Sequence, residues 1–199
     1  MRSSRTAGLL LAAGEGTRLG RPKAMVELGG ERLVDRGVRL LEEGGCHPVV
    51  VVLGAATVQV RGAVTVRNPD WASGMGSSLR VGLAALPAEA ESVVVALIDQ
   101  PLIEPGAVRA LIASGAGGLA VATYGGRRRN PVLIAREHWA GVAGMAVGDV
   151  GARPFMKAHP GLVTEVPCDE HGDPADIDTP EDLARLEARL TGARSEPQG

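Results

Sequence analysis

The fold of this chain is decided by the stretch Leu9–Lys23, which reads LLLAAGEGTRLGRPK. The apolar run at positions 7–13 has the length and composition of a buried strand. A loop with glycines at 14, 16 and 20 follows, and it carries the cations Arg18 and Lys23. Glycine lets the backbone turn sharply and approach a ligand closely, and backbone N–H groups with cationic side chains bind phosphates. The stretch therefore predicts a triphosphate-binding loop after the first strand of an α/β domain.

Two other phosphate-binding patterns are disfavoured by the spacing of this loop. A Walker A loop needs Ser or Thr after its lysine, whereas Lys23 is followed by Ala24. The dinucleotide fingerprint G-x-G-x-x-G would need its third glycine one residue earlier, and Asp35, which would have to bind the ribose, lies inside a predicted helix. An NAD-type dehydrogenase is therefore disfavoured. The remaining alternative is a glycine-rich surface turn with two solvated cations.

Length and composition favour one sizeable domain over the whole chain, 1–199, with a core at about 6–190 and a frayed tail from Thr191. The net charge of −2 and the aromatic content of 2% disfavour a nucleic-acid partner. Cys46 and Cys168 lie far apart, which is typical of free thiols in a reducing compartment. The first apolar run is too short for a signal peptide or a membrane span. We therefore expect a cytoplasmic protein with no membrane partner.

Apolar strands alternate with amphipathic helices along the chain. Strands are predicted at 49–53, 92–98 and 119–124, and helices at 31–43, 77–86 and 105–113, with a last helix starting at Thr179. The pattern predicts a doubly wound, mostly parallel Rossmann-like α/β sheet in three α/β/α layers. Ligands of such sheets lie at the carboxyl ends of strands, so the glycine loop and Asp99 should face one crevice. Two segments are less distinct: 58–60 reads as a short helix or strand, and 125–131 as a loop.

The pattern L-x-A-G-x-G-T-R-x-G-x-P-K of the opening stretch resembles the signature of nucleotidyltransferases with the nucleotide-diphospho-sugar transferase fold. Further segments resemble the MobA-like, molybdenum-cofactor branch of that family. They are Asn68–Asp70, Gly74–Leu79, Asp99–Pro101, Asn130–Leu133, Gly148–Arg153 and Asp176–Leu183. The matches run from about residue 7 to residue 186, nearly the whole chain, and their combination is more specific than any one segment.

The resemblance implies that the opening loop wraps the phosphates of a nucleoside triphosphate (NTP). Lys23 would then contact the α- or β-phosphate and Arg18 the β/γ portion, both as catalytic residues. Gly74, Ser77 and Ser78 would hold the base and ribose, although a glycine turn with a serine N-cap explains them equally well. The full nucleotide-binding set is Leu11, Ala12, Ala13, Gly14, Gly16, Thr17, Arg18, Lys23, Gly74, Ser77 and Ser78.

A metal site is expected at Asp99, which directly follows a predicted strand. A carboxylate there is a hard oxygen ligand suited to Mg²⁺ that bridges triphosphate oxygens. The Asp99–Pro101 triplet also resembles the metal-binding D-x-P segment of the family, so Asp99 is predicted to be catalytic as well. Asp178 is the second candidate metal ligand, and its alternative role is to start the last helix.

The resemblance also implies a pocket for a pterin substrate, lined by Asn130, Asp149 and Arg153. Asp149 and Arg153 have an alternative as a structural ion pair. The run Arg127–Arg129 is either a solvated turn or a receptor for an anionic substrate. The Ala-Ala-Gly of the opening loop resembles cytidylyltransferases, and a Cβ at Ala13 would leave less room for a purine, so CTP is favoured over GTP.

The implied activity is Mg²⁺-dependent transfer of a nucleoside monophosphate from an NTP to molybdopterin, with release of pyrophosphate. One alternative is a nucleotidyltransferase that acts on a sugar phosphate or another phosphate acceptor. A further alternative is a nucleotide-binding maturation factor that serves a partner molybdoenzyme without turnover.

Overall fold

The computed structural model describes residues 6–115 and 117–193. The expectations for the basic N-terminus and for the tail beyond residue 193 lie outside these residues. The strands are β1 (Thr6–Ala12), β2 (Glu27–Leu28), β3 (Glu31–Arg32), β4 (Val49–Leu53), β5 (Ala63–Arg67), β6 (Ser92–Leu97), β7 (Leu102–Ile103), β8 (Leu119–Tyr124), β9 (Arg127–Ala135), β10 (Val163–Pro167) and β11 (Gly172–Asp173). The α-helices are α1 (Leu33–Glu43), α2 (Met75–Ala84), α3 (Pro105–Ser114), α4 (Trp139–Met145), α5 (Arg153–Ala158) and α6 (Pro180–Ala193).

Seven strands form the main sheet in the order β10-β8-β9-β6-β1-β4-β5. The pairs β1 with β4, β1 with β6, β4 with β5 and β10 with β8 are parallel. The strand β9 runs antiparallel to both of its neighbours, β6 and β8. The prediction of a mostly parallel sheet is therefore confirmed.

Helices cover both faces of this sheet, because side chains of β1 alternate between two apolar cores. Leu10 belongs to the core that is covered by α1, α3 and α6, and Leu9 to the core that is covered by α2, α4 and α5. Both leucines are 0% exposed. The predicted α/β/α layering is confirmed.

The order of the strands creates a crevice beside β1. The chain passes from β1 to β4 and β5 on one side of the sheet, and then returns to β6 on the other side of β1. The two strand ends are adjacent, since Ile98 N donates to Leu11 O at 3.2 Å. Ligands of open α/β sheets bind at such a switch point. The loop after β1 and Asp99 after β6 are therefore neighbours, as predicted.

The segment 125–131 was predicted to be a loop, but most of it belongs to a strand. Only Gly125 and Gly126 form a turn, with φ of 55° and 69°, and β9 begins at Arg127. A two-residue hairpin turn of this kind needs positive φ at both positions, which glycine supplies at no steric cost. The pairing of β9 with β8 shifts register between Val121 and Ala122, and this irregularity leaves Asn130 and Pro131 out of the ladder. The Arg127–Arg129 run is therefore part of a strand, so its interpretation as a turn was wrong.

Other boundaries differ by a few residues. The first strand ends at Ala12, so Ala13 starts the loop, and residues 58–60 belong to no helix or strand. The last helix begins after Thr179 with proline at its first position, as predicted, and Leu186 on it is 0% exposed. It continues to Ala193, so the described part of the expected frayed tail is helical. Within residues 6–115 and 117–193, no helix combines the length and apolarity that crossing a membrane requires.

Candidate active site

Two glycines with left-handed backbone give the loop after β1 its tight shape. Gly16 has φ of 63° and Gly20 has φ of 70°. A Cβ at Gly16 would lie 2.3 Å from the carbonyl oxygen of Arg21, so the loop closes on itself in a way that other residues would prevent. Gly14, Thr17 and Arg18 are exposed, whereas Leu11, Ala12 and Ala13 are buried. A ligand at this loop would therefore meet mainly its backbone and its cations.

Lys23 joins the loop to two other segments of the chain. Its Nζ donates to Asp99 Oδ2 at 3.1 Å and to Asp178 Oδ1 at 2.7 Å, and its side chain is only 12% exposed. Arg18 contacts the other oxygen of Asp178 at 3.0 Å. The four side chains that were predicted to carry catalysis and metal binding therefore meet in one place. We call Arg18, Lys23, Asp99 and Asp178 the acidic end of the site, after its two carboxylates.

The carboxylate of Asp178 takes no part in capping the last helix. The cap is formed by Thr179 and Asp182, since Asp182 N donates to Thr179 Oγ1 at 3.2 Å and Thr179 N donates to Asp182 Oδ2 at 3.0 Å. These reciprocal bonds form a capping box. The segment before them is fixed by Ile177, whose N–H donates to Asp99 O at 2.8 Å and whose side chain is 0% exposed. Asp178 is thereby held beside Asp99 with both carboxylate oxygens free for cations.

Charge pairing shifts the ionisation of these groups. The hydrogen bond from Lys23 lowers the pKa of Asp178, and Arg18 adds to this effect. Burial lowers the pKa of Lys23, but the charges and hydrogen bonds of Asp99 and Asp178 outweigh it and leave the pKa raised. Asp178 is therefore an anion and Lys23 a cation at neutral pH, and their charges offset each other.

The residues at the acidic end fit a divalent cation that is shared with a substrate. Asp99 Oδ1 is buried and has no hydrogen-bond partner among the described residues. Those residues contain no group of three or more His, Cys, Asp or Glu side chains arranged to hold a metal on their own. Two carboxylates with the remaining positions filled by phosphate and water is the arrangement that Mg²⁺ adopts with nucleotides. Asp99 and Asp178 would hold the ion, and it would supply charge neutralisation.

A cavity of about 530 Å³ opens beside the acidic end. Its apolar wall is formed by Leu11, Met75, Leu79, Val95, Leu97, Val121, Val132 and Met156. Its polar lining includes Asp99 and Asp178 as well as Asn130, Asp149 and Arg153. The structure therefore brings the three residues that were predicted for the acceptor into the same cavity as the candidate metal ligands.

Three cations that line this cavity have no anionic partner among the described residues. The side chains of Arg129, Arg153 and Lys157 make no hydrogen bond or ion pair with these residues, so the alternative of an Asp149–Arg153 ion pair is not realised. Arg128 also lines the cavity, but it pairs with Glu165 at 2.7 Å. We call Arg129, Arg153 and Lys157 the cationic end of the site. Unpaired cations beside an apolar wall suit an anionic molecule with a hydrophobic body.

Ser77 and Ser78 are not among the residues that line this cavity. They are 4% and 3% exposed, and both hydroxyls accept hydrogen bonds from Asn68 Nδ2, at 2.8 and 3.0 Å. Gly74, with φ of 107°, packs so closely on the Gly148 backbone that a Cβ there would lie 2.4 Å from the carbonyl carbon of Gly148. The structure therefore shows the two serines and Gly74 fixing the start of α2, and leaves Met75 as the neighbouring residue that reaches the cavity.

Sequence reasoning missed several residues around the cavity. Gln100 is 5% exposed, and its Nε2 donates to Asp176 Oδ1 at 2.9 Å, which ties the end of β6 to the Asp178 segment. Lys157 follows Arg153 by four residues, so the two lie on the same face of α5. That spacing was a readable signal for Lys157. Gln100 had no such signal, because its partner is distant in sequence.

These features agree with the comparison with known protein families. The model of the MobA-like NTP transferase domain matches residues 8–163. This chain belongs to that family. The matched range includes the glycine loop, Asp99 and the cationic end of the site, whereas Asp178 lies beyond it.

Individual relatives carry different names. A protein named nicotine blue oxidoreductase from Paenarthrobacter nicotinovorans is 39% identical over 194 residues, covering 90% of this chain and 95% of that protein. A molybdenum cofactor guanylyltransferase from Cereibacter sphaeroides is 32% identical over 193 residues, covering 92% of this chain and 96% of that protein. These similarities establish the family.

Solved structures show the same fold. A homologue from Mycobacterium sp. strain JC1 of a Mycobacterium tuberculosis protein superposes with a TM-score of 0.83, at 31% identity, covering 97% of this chain and all (100%) of the homologue. The M. tuberculosis protein itself was solved as a complex with manganese, with a TM-score of 0.78 and 26% identity over 92% of this chain and 98% of that chain.

Proposed function

We propose that this protein transfers a nucleoside monophosphate from an NTP to a phosphate-bearing acceptor, with release of pyrophosphate. The observation that carries this proposal is the acidic end of the site. The cations of a glycine loop, Arg18 and Lys23, meet the carboxylates Asp99 and Asp178 at the mouth of a cavity of about 530 Å³. A triphosphate needs such cations, and Mg²⁺ needs such carboxylates.

In the proposed reaction, an oxygen of the acceptor phosphate attacks the α-phosphorus of the NTP. The bond between the α-phosphorus and the bridging oxygen to the β-phosphorus breaks, and pyrophosphate leaves with that electron pair. The acceptor phosphate is already an anion, so the step needs no strong general base. Positioning and charge neutralisation lower the barrier. Lys23 would neutralise charge at the α- or β-phosphate, and Arg18 at the departing pyrophosphate.

The cationic end supports a phosphate-bearing acceptor with an apolar body, and molybdopterin is the acceptor we propose. Arg129, Arg153 and Lys157 offer charge, Asn130 and Asp149 offer hydrogen bonds, and the apolar wall offers a surface for a ring system. A sugar phosphate would use the cations but would leave the apolar wall of Met75 and Leu79 unused. A molybdoenzyme that receives the product is the partner that this proposal implies.

CTP is the proposed nucleotide, on the basis of the resemblance of the Ala-Ala-Gly at 12–14 to cytidylyltransferases. Ala13 is 6% exposed and packs in the apolar core that α2, α4 and α5 cover, and it is not among the residues that line the cavity. The proposal of CTP over GTP therefore rests on the loop sequence. The Cereibacter relative, by contrast, is named for guanylyl transfer.

Pyrophosphate release tests the proposal. The purified protein with Mg²⁺ is given CTP, GTP or ATP, each with molybdopterin, with a sugar phosphate or with no acceptor. We expect release with CTP and molybdopterin to exceed every other combination. Release with the sugar phosphate alone would contradict the acceptor, and faster release with GTP would contradict the base.

Two outcomes would show that the protein has a function other than nucleotidyl transfer. No release with any acceptor, together with tight nucleotide binding, would favour a maturation factor without turnover. The name of the Paenarthrobacter relative favours a second candidate, an oxidoreductase. Oxidation or reduction of nicotine blue with an added electron acceptor or donor, without pyrophosphate release from any NTP, would support it.

A further inference from the structure

The position of Lys23 carries a consequence for metal binding. Its ammonium lies between the two carboxylates that would hold the divalent cation, 3.1 Å from Asp99 Oδ2 and 2.7 Å from Asp178 Oδ1. Arg18 occupies the second oxygen of Asp178 at 3.0 Å. Three of the four carboxylate oxygens at the acidic end are therefore already paired with cations of the glycine loop.

We propose that Lys23 takes the place of the divalent cation in the nucleotide-free protein, so that metal and triphosphate bind together and neither binds well alone. The triphosphate draws the ammonium away from Asp99 and Asp178, and the cation then enters between them. This inference rests on the proposed function only in assuming that the ligand is a nucleotide polyphosphate with a divalent cation.

Electrostatic interactions favour this exchange. With Lys23 and Arg18 in place, the charges of Asp99 and Asp178 are balanced, so these two carboxylates offer little net attraction to a divalent cation. An ion that approached Asp99 Oδ2 would also meet the ammonium at close range, and like charges at such distances repel strongly in a partly buried site. The Lys23 side chain is 12% exposed, so water screens this repulsion only weakly.

Lys23 pairs with only one of the two carboxylate oxygens of Asp99 and leaves Oδ1 without a hydrogen bond from the described residues. This oxygen is buried and accepts no hydrogen bond from the described residues, although its partner oxygen binds the ammonium. A buried acceptor without a partner is costly. A ligand that reaches this oxygen would therefore gain free energy that Lys23 does not provide, which favours exchange once the triphosphate has neutralised the cations.

Because of this exchange, the nucleotide and the cation should each raise the affinity for the other. If the nucleotide raises the affinity for the cation by some factor, the cation must raise the affinity for the nucleotide by the same factor. A purely structural role of Lys23, in which it only fixes the loop against Asp99, would predict no such coupling. Removing the ammonium would then loosen the loop and leave the affinity for the cation unchanged or weaker.

The test measures Mn²⁺ binding to the full-length protein without nucleotide, by electron paramagnetic resonance of the free ion. The test variant is Lys23→Met, which keeps the length of the side chain and removes its charge. The matched control is Arg21→Met, because Arg21 is an exposed cation of the same loop whose side chain has no anionic partner in the part of the chain that the structure describes. We expect Lys23→Met to bind Mn²⁺ about tenfold or more tightly than wild type, and Arg21→Met to stay within about twofold.

Further measurements exclude the possibility that a change in Mn²⁺ affinity comes from a loss of folded structure. Circular dichroism and thermal unfolding report whether Lys23→Met is folded, and Lys23→Gln is used in its place if it is not. The double variant Lys23→Met with Asp99→Asn should lose the gain, because the gained site contains Asp99. Equal Mn²⁺ affinity of wild type and a folded Lys23 variant would overturn the proposal, as would a gain that survives Asp99→Asn.

The outcome is separable from that of the proposed function. Mn²⁺ binding needs neither acceptor nor turnover, so a gain in Lys23→Met without pyrophosphate release would leave the exchange standing and reject the activity. Pyrophosphate release by a wild-type protein whose Mn²⁺ affinity equals that of the variant would reject the exchange and leave the activity standing.

Discussion

The two ends of the cavity differ in how their charges are satisfied. At the acidic end, Lys23 and Arg18 are paired with Asp99 and Asp178 at 2.7–3.1 Å, so the protein supplies both signs of charge. At the cationic end, Arg129, Arg153 and Lys157 line the cavity without any anionic partner among the described residues. A ligand of the acidic end has to displace ion pairs that already exist, whereas a ligand of the cationic end can pair its anionic groups with free cations. The acidic end therefore suits the binding of a metal ion and phosphates during the reaction, and the cationic end suits the binding of an anionic acceptor.

This difference predicts that losses at the acidic end reduce turnover most. In Asp99→Asn, the side chain keeps its shape but can no longer offer an anionic oxygen to a cation. We expect the turnover number to fall on the order of 10²–10³-fold, since electrostatic groups at the reacting phosphates carry most of such catalysis. Steady-state pyrophosphate release measures it.

The control for this variant is Asp35→Asn. Asp35 lies on α1, pairs with Arg32 at 2.6 Å and does not line the cavity. Its turnover should remain within about twofold of wild type, as for most surface substitutions. Turnover of Asp99→Asn near that of wild type would show that the acidic end is structural only.

The shape of the glycine loop gives the next largest effect. A Cβ in Gly16→Ala would lie 2.3 Å from the Arg21 carbonyl oxygen, and the residue has φ of 63°. The left-handed backbone alone costs about 1–2 kcal/mol for alanine, so the free energy of unfolding should fall by at least that amount. Chemical denaturation measures it.

Gly14→Ala is the matched control for stability, because a Cβ at Gly14 has nothing within 4 Å and its φ is not in the left-handed region. It should change the free energy of unfolding by less than about 0.5 kcal/mol. Equal losses in the two variants would mean that the loop is not fixed in the observed conformation.

The acidic end was largely predictable from the sequence, because its signals are local. Glycines with fixed spacing before Arg18 and Lys23 mark a phosphate loop, and an acid directly after an apolar strand marks Asp99. Asp178 stayed undecided between metal ligand and helix start, since both explanations use the same residues. The structure separates them through the Thr179–Asp182 capping box, which frees the carboxylate for a lysine 155 positions away in sequence.

The cationic end was only partly predictable. Arg153 came from the resemblance to a family, but Arg129 could not be placed because Arg127–Arg129 was interpreted as a turn. A Gly-Gly pair between two apolar-containing runs is a hairpin signal, and it would have put Arg129 on a strand beside the cavity. For Ser77 and Ser78, the role in holding the base and ribose stays a prediction. The structure adds that both hydroxyls accept hydrogen bonds from Asn68, a contact that the sequence alone could not give.

Recognition by the cationic end should be visible in the Michaelis constant for the acceptor. In Arg129→Ala, the acceptor loses one charged contact of about 1.5 kcal/mol, so its KM should rise about tenfold while kcat changes little. The KM for the nucleotide should not change, because Arg129 belongs to the acceptor side of the cavity in the proposed function. Initial rates at saturating nucleotide measure these constants.

The neighbouring Arg127 provides the control, since it is exposed on the same strand and does not line the cavity. Arg127→Ala should leave the KM for the acceptor unchanged. A fall in kcat with an unchanged KM in Arg129→Ala would show that Arg129 acts on the reacting phosphates. The cationic end would then take part in catalysis as the acidic end does.

The smallest expected effect is on the pH dependence of stability. Lys23 and Arg18 lower the pKa of Asp178, so the carboxylate stabilises the folded protein above its unfolded pKa, about 3.8. This contribution is lost as the pH falls through the still lower folded pKa. Because the Asp178 side chain is 36% exposed, solvent reduces the contribution to about 1 kcal/mol or less.

Asp178→Asn should therefore lower the thermal midpoint at pH 7 by roughly 2–4 °C, and the difference from wild type should shrink as the pH is lowered towards 3. Thermal unfolding followed by circular dichroism at both pH values measures it. The control is Asp169→Asn, whose carboxylate accepts a backbone hydrogen bond from Gly125 and forms no ion pair among the described residues. A difference that persists unchanged at pH 3 would show that Asp178 acts through packing, and that charge pairing does not distinguish the acidic end from the cationic end.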